Sequence, residues 1–330
     1  MHKNIAILTI SSILLLSSCD KNNTDNTIIN DIPKITVINN NPIIDHIFTA
    51  DPAALVHNET VYIYTGHDEQ VYATNGFLMK DWHIFSSKNM VDWKDHGAAL
   101  SLSAFAWAKA DAWAGQCVER AGKFYWYVPI AHKTIGWFGI GVAVSDTPTG
   151  PFSDAIGAAL ITDKTPNSIE LNIDPTVFVD DDGKAYLYWG GFGHCRMVKL
   201  KDNMIELDGD VADVPGLTGF TEAPWLHKRN GIYYLSFASG FPEKISYATS
   251  SSPLGPWTYK GVVNDLVKNS PTNHQSIIEF KNQSYFIYHN GGLHSGGEYR
   301  RSVCVDSLFY NSDGTMKQVK QTTKGVGKVL

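Results

Sequence analysis

Cysteine is scarce in this chain of 330 residues: there are four, at positions 19, 117, 195 and 304. Cys19 falls in a leader segment, and the other three each sit within a strand-like run. An odd number so placed excludes a disulfide framework and predicts buried free thiols. Positive charge is not in excess either. Lys and Arg number 27 against 33 Asp and Glu, the net charge is −6 and no basic run stands out, which removes electrostatic support for a nucleic-acid partner. Helical periodicity of any length is missing. So is a membrane span, because the conspicuous apolar run covers only residues 5–16, short of the roughly 20 residues a bilayer needs. What is plentiful is aromatic: 9 Trp, 15 Tyr and 15 Phe, residues that strands favour and that also stack on sugar rings. The hydrophobic share of 43% suffices for one large core.

The apolar run follows His2 and Lys3 and leads into Leu16-Ser-Ser-Cys19. That is the layout of a signal-peptide core, and small residues just ahead of a cysteine resemble a bacterial lipobox, in which Cys19 becomes the lipidated first residue. Residues 1–19 are therefore expected to be a lipoprotein signal peptide. Residues 20–40, Asn- and Asp-rich, are expected to be a flexible polar tether, and residues 41–330 the folded domain. The expected location is the cell envelope, facing the periplasm or on the outer-membrane surface, with the lipid as the sole membrane contact.

From there one phrase recurs five times. It runs Asp51-Pro-Ala-Ala-Leu-Val to Val-Tyr-Ile-Tyr64, then from Ala114-Gly-Gln-Cys-Val-Glu to Phe-Tyr-Trp-Tyr127, then from Asp174-Pro-Thr-Val-Phe-Val to Ala-Tyr-Leu-Tyr188. Two looser copies open at Glu222-Ala-Pro-Trp and at His274-Gln-Ser-Ile. The steps between openers are 63, 60, 48 and 52 residues. Within each copy a turn such as Asp182-Gly183 or Asn230-Gly231 separates two apolar runs, the strongest short-range hairpin signal. A second element, Ser145-Asp-Thr-Pro-Thr-Gly-Pro-Phe152, is repeated as Ser250-Ser-Ser-Pro-Leu-Gly-Pro-Trp257. About four strands per unit and five units predict an all-β, five-bladed β-propeller. Asp180-Asp-Asp-Gly183 lacks the later Glu of a calcium loop and reads as a hairpin turn. Gly136 to Gly141 has nucleotide-loop spacing without a following helix and reads as a strand entry.

If the repeats are blades, their openers occupy equivalent places, and Asp51, Asp174 and Glu222 converge. An acid leading straight into Leu-Val or Val-Phe is costly unless it faces a wet cavity or a partner. One such acid is an ordinary turn cap; three in phase point to a shared site. Glycoside hydrolysis needs one carboxylic acid to protonate the leaving oxygen and one carboxylate to activate water or attack. A third carboxylate can split their pKa values, since like charge raises a neighbour's pKa.

On these residues the chain resembles glycoside hydrolase family 43. Thr49-Ala-Asp51-Pro, Ile173-Asp174-Pro-Thr-Val and Glu222-Ala-Pro-Trp225 look like that family's three signature motifs, and the likeness covers roughly residues 40–320. It implies an inverting five-bladed propeller enzyme with Asp51 as general base, Asp174 as the group that tunes pKa and orientation, and Glu222 as general acid. It further implies a substrate contact from Arg301, with Arg300 the rival position, and a His near the axis. His274 fills that slot, either as a hydrogen-bonded structural side chain or reaching a calcium ion through water, since Ca²⁺ prefers oxygen ligands. Trp113, at the second opener, is a candidate for stacking on sugar, and no cofactor is needed for the chemistry. His67-Asp68-Glu69 receives no role.

The flanking stretches Tyr64-Thr-Gly-His-Asp-Glu69 and Arg300-Arg-Ser-Val-Cys-Val305 look most like the arabinoxylan-debranching group. The expected activity is removal of α-L-arabinofuranosyl groups from plant cell-wall polysaccharide or oligosaccharides. β-D-Xylosidase is next, endo-arabinanase third, and a lipid-anchored, non-catalytic glycan-binding propeller the alternative of another class. Invertase-like enzymes need an Asn-Asp-Pro-Asn nucleophile motif, and sialidases need Ser-x-Asp-x-Gly repeats. Neither is present.

Overall fold

Two-residue turns set the architecture. Asn58-Glu59, Ala121-Gly122, Asn230-Gly231 and Lys281-Asn282 all adopt positive φ, between 46° and 77°. Paired left-handed residues make the tight hairpin whose twist matches that of its strands. The computed structural model describes residues 40–70 and 76–329. The leader expected over residues 1–19, with Cys19, and nearly all of the expected tether lie outside the described residues.

Strands β1 Thr49–His57, β2 Thr60–His67, β3 Asp81–Ser87 and β4 Lys94–Ser101 form the first antiparallel sheet. The second holds β5 Ala108–Ala112, β6 Gln116–Arg120, β7 Lys123–His132, β8 Phe138–Ser145 and β9 Ser153–Asp154, with β5 and β6 both pairing β7. The third runs β10 Thr176–Val179, β11 Ala185–Gly191, β12 His194–Leu200, β13 Leu207–Asp213. The fourth runs β14 Phe220–Arg229, β15 Ile232–Ser239, β16 Lys244–Ser250, β17 Thr258–Asn264. The fifth has β18 Gln275–Phe280, β19 Gln283–Asn290 and β20 Ser302–Leu308. Five meandering sheets make the five-bladed propeller, and each recurring phrase is the first hairpin of a blade.

The expectation of about four strands per unit fails at the fifth blade, which has three. The outer edge of β20 is instead closed by residues 41–43, which precede β1. Ile43 N–H donates to the Val303 carbonyl at 2.8 Å. The Asn41 amide accepts from Val305 N–H at 2.8 Å and donates to Val305 O, Asp306 Oδ2 and Thr322 O at 2.9–3.1 Å. Edge groups that would otherwise stay unpaired are thereby satisfied, and the ring is sealed.

Most of the aromatic surplus lies in the core. Trp82, Trp126, Trp189, Tyr64, Tyr127, Tyr188, Tyr234 and Tyr288 are fully buried. In four of the five phrases the second tyrosine has a further task, because a buried hydroxyl needs a partner. Tyr64 donates to Pro148 O at 2.7 Å and Tyr188 donates to Pro253 O. These acceptors sit in the two copies of the Pro-x-Gly-Pro element, each one blade further on. Tyr127 to Met204 O at 2.6 Å and Tyr234 to Gly314 O at 2.7 Å repeat the latch with other turns. The Gly136–Gly141 glycines answer to packing: a Cβ on Gly141 would stand 2.7 Å from the Trp107 ring. Cys117, Cys195 and Cys304 are buried free thiols, as the sequence suggested.

Candidate active site

Blade-opening strands start close to one another, and their first residues are bent toward the common centre. Asp51 and Asp174 have φ of 52° and 55°, and Ala223, next to Glu222, has 55°. Asp tolerates the left-handed region better than most side chains. The pairing registers of β1 and β14 slip at these points, between Ala50 and Ala53 and on either side of Glu222. Such bulges re-aim side chains out of the pleat. Gln275, from the fifth blade, holds the β14 bulge by donating to Ala223 O and Ser236 Oγ, both at 3.0 Å. The bent openers deliver their carboxyls into one cavity of about 400 Å³.

All six residues singled out from sequence line that cavity: Asp51, Trp113, Asp174, Glu222, His274 and Arg301. Phe77, Trp137, Phe192 and Phe241 give it an aromatic wall. Phe192 and Phe241 are 68% and 72% exposed, which puts them at the solvent-facing rim. Trp113 packs against Phe77 and Phe138, and its indole N–H is buried without a protein acceptor. Arg300, the rival of Arg301, lies outside the cavity lining and donates to Ser295 O.

Charge is arranged asymmetrically. Arg301 is buried and donates through Nη1 to Asp51 Oδ1 at 2.8 Å. Its Nε and Nη2 clasp the Asp68 carboxylate at 3.0 and 2.9 Å, and Asp68 also accepts the Arg301 backbone N–H at 2.8 Å. A guanidinium gripped from both sides, with its face 4.5 Å from the Phe77 centroid, has one orientation. Burial pushes the Asp51 carboxyl up, but Arg301 and the imidazoles of His289 and His274 outweigh it and hold the group well below the ordinary carboxylate range. Oδ1 takes the Arg301 bond, whereas Oδ2 has no hydrogen bond among the described residues. Gly66 keeps room beside Oδ2, since a Cβ there would stand 3.8 Å from it and 2.2 Å from Met79 Cε.

Glu222 goes the other way. Burial, reinforced by the negative charge of Asp51, lifts it to about 7, with Arg301 opposing. Asp174 is also raised, by burial first and then by Glu222 and Asp51, although it accepts the Ala223 N–H at 3.0 Å. Two buried carboxyls that repel each other hold a proton between them more readily than they lose both. The cavity thus contains a carboxylate held ionised beside two carboxyls whose hold on a proton is raised. His274 has Nδ1 3.8 Å from Asp51 Oδ1 and 3.9 Å from Asp174 Oδ2. Burial outweighs Asp51 and lowers it to about 4, so it is neutral at pH 7.

The sequence reading missed three groups. Asp68 is the clamp on Arg301. His289, in β19, accepts the Asp51 backbone N–H at Nδ1 (3.2 Å) while its Nε2 reaches Thr272 O (3.0 Å), fixing the tautomer. Glu243, just ahead of β16, is buried and lines the cavity. None of the three opens a phrase, so the repeat gave no signal for them. As for calcium, His274 offers only a nitrogen. Among the described residues the cluster of three metal-binding groups is His67, Asp81 and His83, on one face of the first blade. A calcium at His274 would be held through water, because Ca²⁺ prefers oxygen ligands.

A five-bladed propeller with carboxyls of opposed ionisation in one aromatic-walled cavity defines a propeller glycosidase. Residues 39–316 match the family model of glycosyl hydrolases family 43, and the chain belongs to that family. It is 35% identical to the xylosidase/arabinosidase 43A of Humicola insolens, over 83% of this chain and 97% of that protein. The arabinoxylan arabinofuranohydrolase of Bacillus subtilis (strain 168) is 34% identical over 88% of this chain, which spans 66% of that longer protein. A family 43 beta-xylosidase/alpha-arabinofuranosidase from a compost microbial metagenome, solved with xylotriose in a calcium-free form, superposes with a TM-score of 0.78. It is 34% identical, with 85% of this chain and 97% of that one covered.

Proposed function

We propose that this protein is an inverting α-L-arabinofuranosidase that trims arabinoxylan-type plant polysaccharide or oligosaccharides. The carrying observation is the split of ionisation in one cavity, Asp51 charged against Arg301 while Glu222 keeps its proton to about 7. The names of the relatives support the sugar class. β-D-Xyloside hydrolysis is the second reading, favoured by the xylosidase/arabinosidase name of the Humicola insolens relative and by the compost enzyme solved with xylotriose.

In this mechanism a water beside Asp51 Oδ2 attacks the anomeric carbon and gives its proton to that oxygen. The bond from the anomeric carbon to the leaving oxygen breaks, and Glu222 transfers its proton to that oxygen. The sugar leaves with inverted configuration, and proton exchange with solvent resets both carboxyls. Arg301 keeps Asp51 ionised and directs its free oxygen. Asp174 orients the β14 bulge by accepting the Ala223 N–H, while burial and the charge of Asp51 keep the acid Glu222 protonated. The aromatic wall excludes water from the remainder of the cavity and offers ring faces to sugar.

The reading is tested with purified protein on aryl α-L-arabinofuranoside, aryl β-D-xyloside and arabinoxylan, with the first-formed anomer followed by proton NMR. Faster turnover of the arabinofuranoside with inversion is expected. Turnover of none of the three would overturn the reading in favour of a glycan-binding propeller. The proposal includes export as a lipoprotein through Cys19, for which acyl labelling in a bacterial host, lost in Cys19→Ser, is the check.

A further inference from the structure

Glu243 is the buried acid in the cavity that the mechanism does not use. It is 2% exposed. It stands between Pro242 and β16, and one oxygen is occupied, since Oε2 accepts the Asn273 backbone N–H at 2.9 Å. The backbone N–H of Glu243 itself donates to Pro271 O at 2.8 Å, so main chain and carboxyl are both pinned to the segment leading into the fifth blade. Among the described residues no Lys, Arg or His lies within ion-pair distance of it, and Oε1 has no protein hydrogen bond. Glu222 stands close enough for its charge to act on Glu243, and the cavity both line already holds one ionised carboxylate, Asp51. An unpaired buried carboxyl beside another acid is held by its proton.

We infer that Glu243 is a sugar-binding residue, a neutral carboxylic acid whose Oε1 side donates a hydrogen bond to a hydroxyl of the sugar seated beside Glu222. The inference rests on the glycosidase reading for the identity of the ligand as a pentose, and on the cavity's geometry for the rest. The chemistry fits a pentose ring because that ligand is all hydroxyls and ether oxygens, with no cation to satisfy a carboxylate. The Asn273 N–H anchors Oε2, which leaves Oε1 as the oxygen open to a ligand. Burial, with the charge of Glu222 adding to it, raises the group to about 9, so the donor proton is kept across the range in which Glu222 can act as an acid. An ionised carboxylate would serve as acceptor from the same hydroxyl, but only after the cavity had taken on a second uncompensated charge.

The test is calorimetric binding of L-arabinose, D-xylose and xylotriose to the full chain and to Glu243→Gln and Glu243→Ala, with melting temperatures alongside. Loss of one buried hydrogen bond predicts roughly 5- to 30-fold weaker binding of the best of these sugars by Glu243→Ala. Gln, which also donates, should restore most of that affinity. The aryl-glycoside KM should rise in Glu243→Ala more than kcat falls. In the wild type, affinity should decline as pH passes about 9, whereas Glu243→Gln should show no such step. Unchanged affinity in the Ala variant, or a Gln variant as weak as Ala, would overturn the inference. If the Ala variant does not fold, the presence or absence of the alkaline step in wild type and Gln variant decides alone. Because L-arabinose and D-xylose carry no glycosidic bond to cleave, a wild type that binds them but turns over no glycoside would sink the hydrolase reading while leaving this one standing.

Discussion

Removing the Arg301 charge while keeping its length, as in Arg301→Met, isolates what holds Asp51 ionised. In the folded protein Nη1 stands 2.8 Å from Asp51 Oδ1, both groups are buried, and Asp68 clasps the other side. With charge centres about 4 Å apart and an effective dielectric constant of about 20, the attraction is roughly 4 kcal/mol. That corresponds to about three pH units at 1.36 kcal/mol each. Once the guanidinium is gone, burial acts on Asp51 unopposed except by the imidazoles. The acid limb of kcat/KM, which in the wild type lies below the ordinary carboxylate range, should therefore climb by about three pH units into the measurable interval. Stability follows the same sign. A carboxyl whose folded pKa is depressed below its ordinary 3.8 contributes stability above that value and loses it on acidification. Arg301→Met should thus cost about 3–5 kcal/mol near pH 7, and less near pH 4, where Asp51, freed of the guanidinium, can take a proton. The assays are a kcat/KM profile on an aryl glycoside from pH 3 to 9 and urea unfolding at pH 4 and 7. A folded, active variant with an unmoved acid limb would refute the argument that Arg301 sets the ionisation of the base.

Four further outcomes follow from the structure. Glu222→Gln should cut kcat on natural glycosides by about 10²–10⁴-fold, the usual worth of a general acid, and much less on an aryl glycoside whose leaving group needs little protonation; equal losses on both would contradict the assignment. Wild-type kcat/KM should fall tenfold per pH unit above about 7 as Glu222 ionises, and stability should decline with rising pH between about 4.5 and 9, because raised carboxyl pKa values favour the folded state only while the protons stay on. In melting experiments Glu243→Gln should flatten the upper part of that decline, and parallel curves would argue against a neutral Glu243. Asn41→Ala, which removes the side-chain bonds to Val305, Asp306 and Thr322 O, should cost about 2–3 kcal/mol from unsatisfied groups, seen as a lower denaturant midpoint with little change in KM.

The repeat made the ring and its three acids legible because both are periodic. A two-residue turn leaves a local signature, and an acid at the same place in three phrases is visible without knowing any contact. His274 was legible as the opener of the fifth copy, whereas Arg301 was reachable only through family resemblance, since nothing about a single Arg in its own segment marks it. Asp68 was hidden for a geometric reason: its partner lies 233 residues away, and only closure of the ring brings the ends of β2 and the start of β20 together. Glu243 was hidden because it follows the second strand of its blade, where acids are ordinarily solvated turn residues. The strand count of the fifth blade was misjudged for a like reason, since its missing edge is supplied by residues 41–43 from the opposite end of the chain.

That seam carries a consequence for the enzyme's biosynthesis. Asp51 arrives with the first blade and Arg301 with the last, and the contact between them lies beside the join, where Thr49 N–H donates to Arg301 O at 2.9 Å. A nascent chain that has completed four blades already owns all four carboxyls of the cavity, yet it has no cation to keep the first of them charged. Competence therefore switches on with the closing of the circle, and any later fraying of that join disarms the protein before the remaining blades have lost a strand.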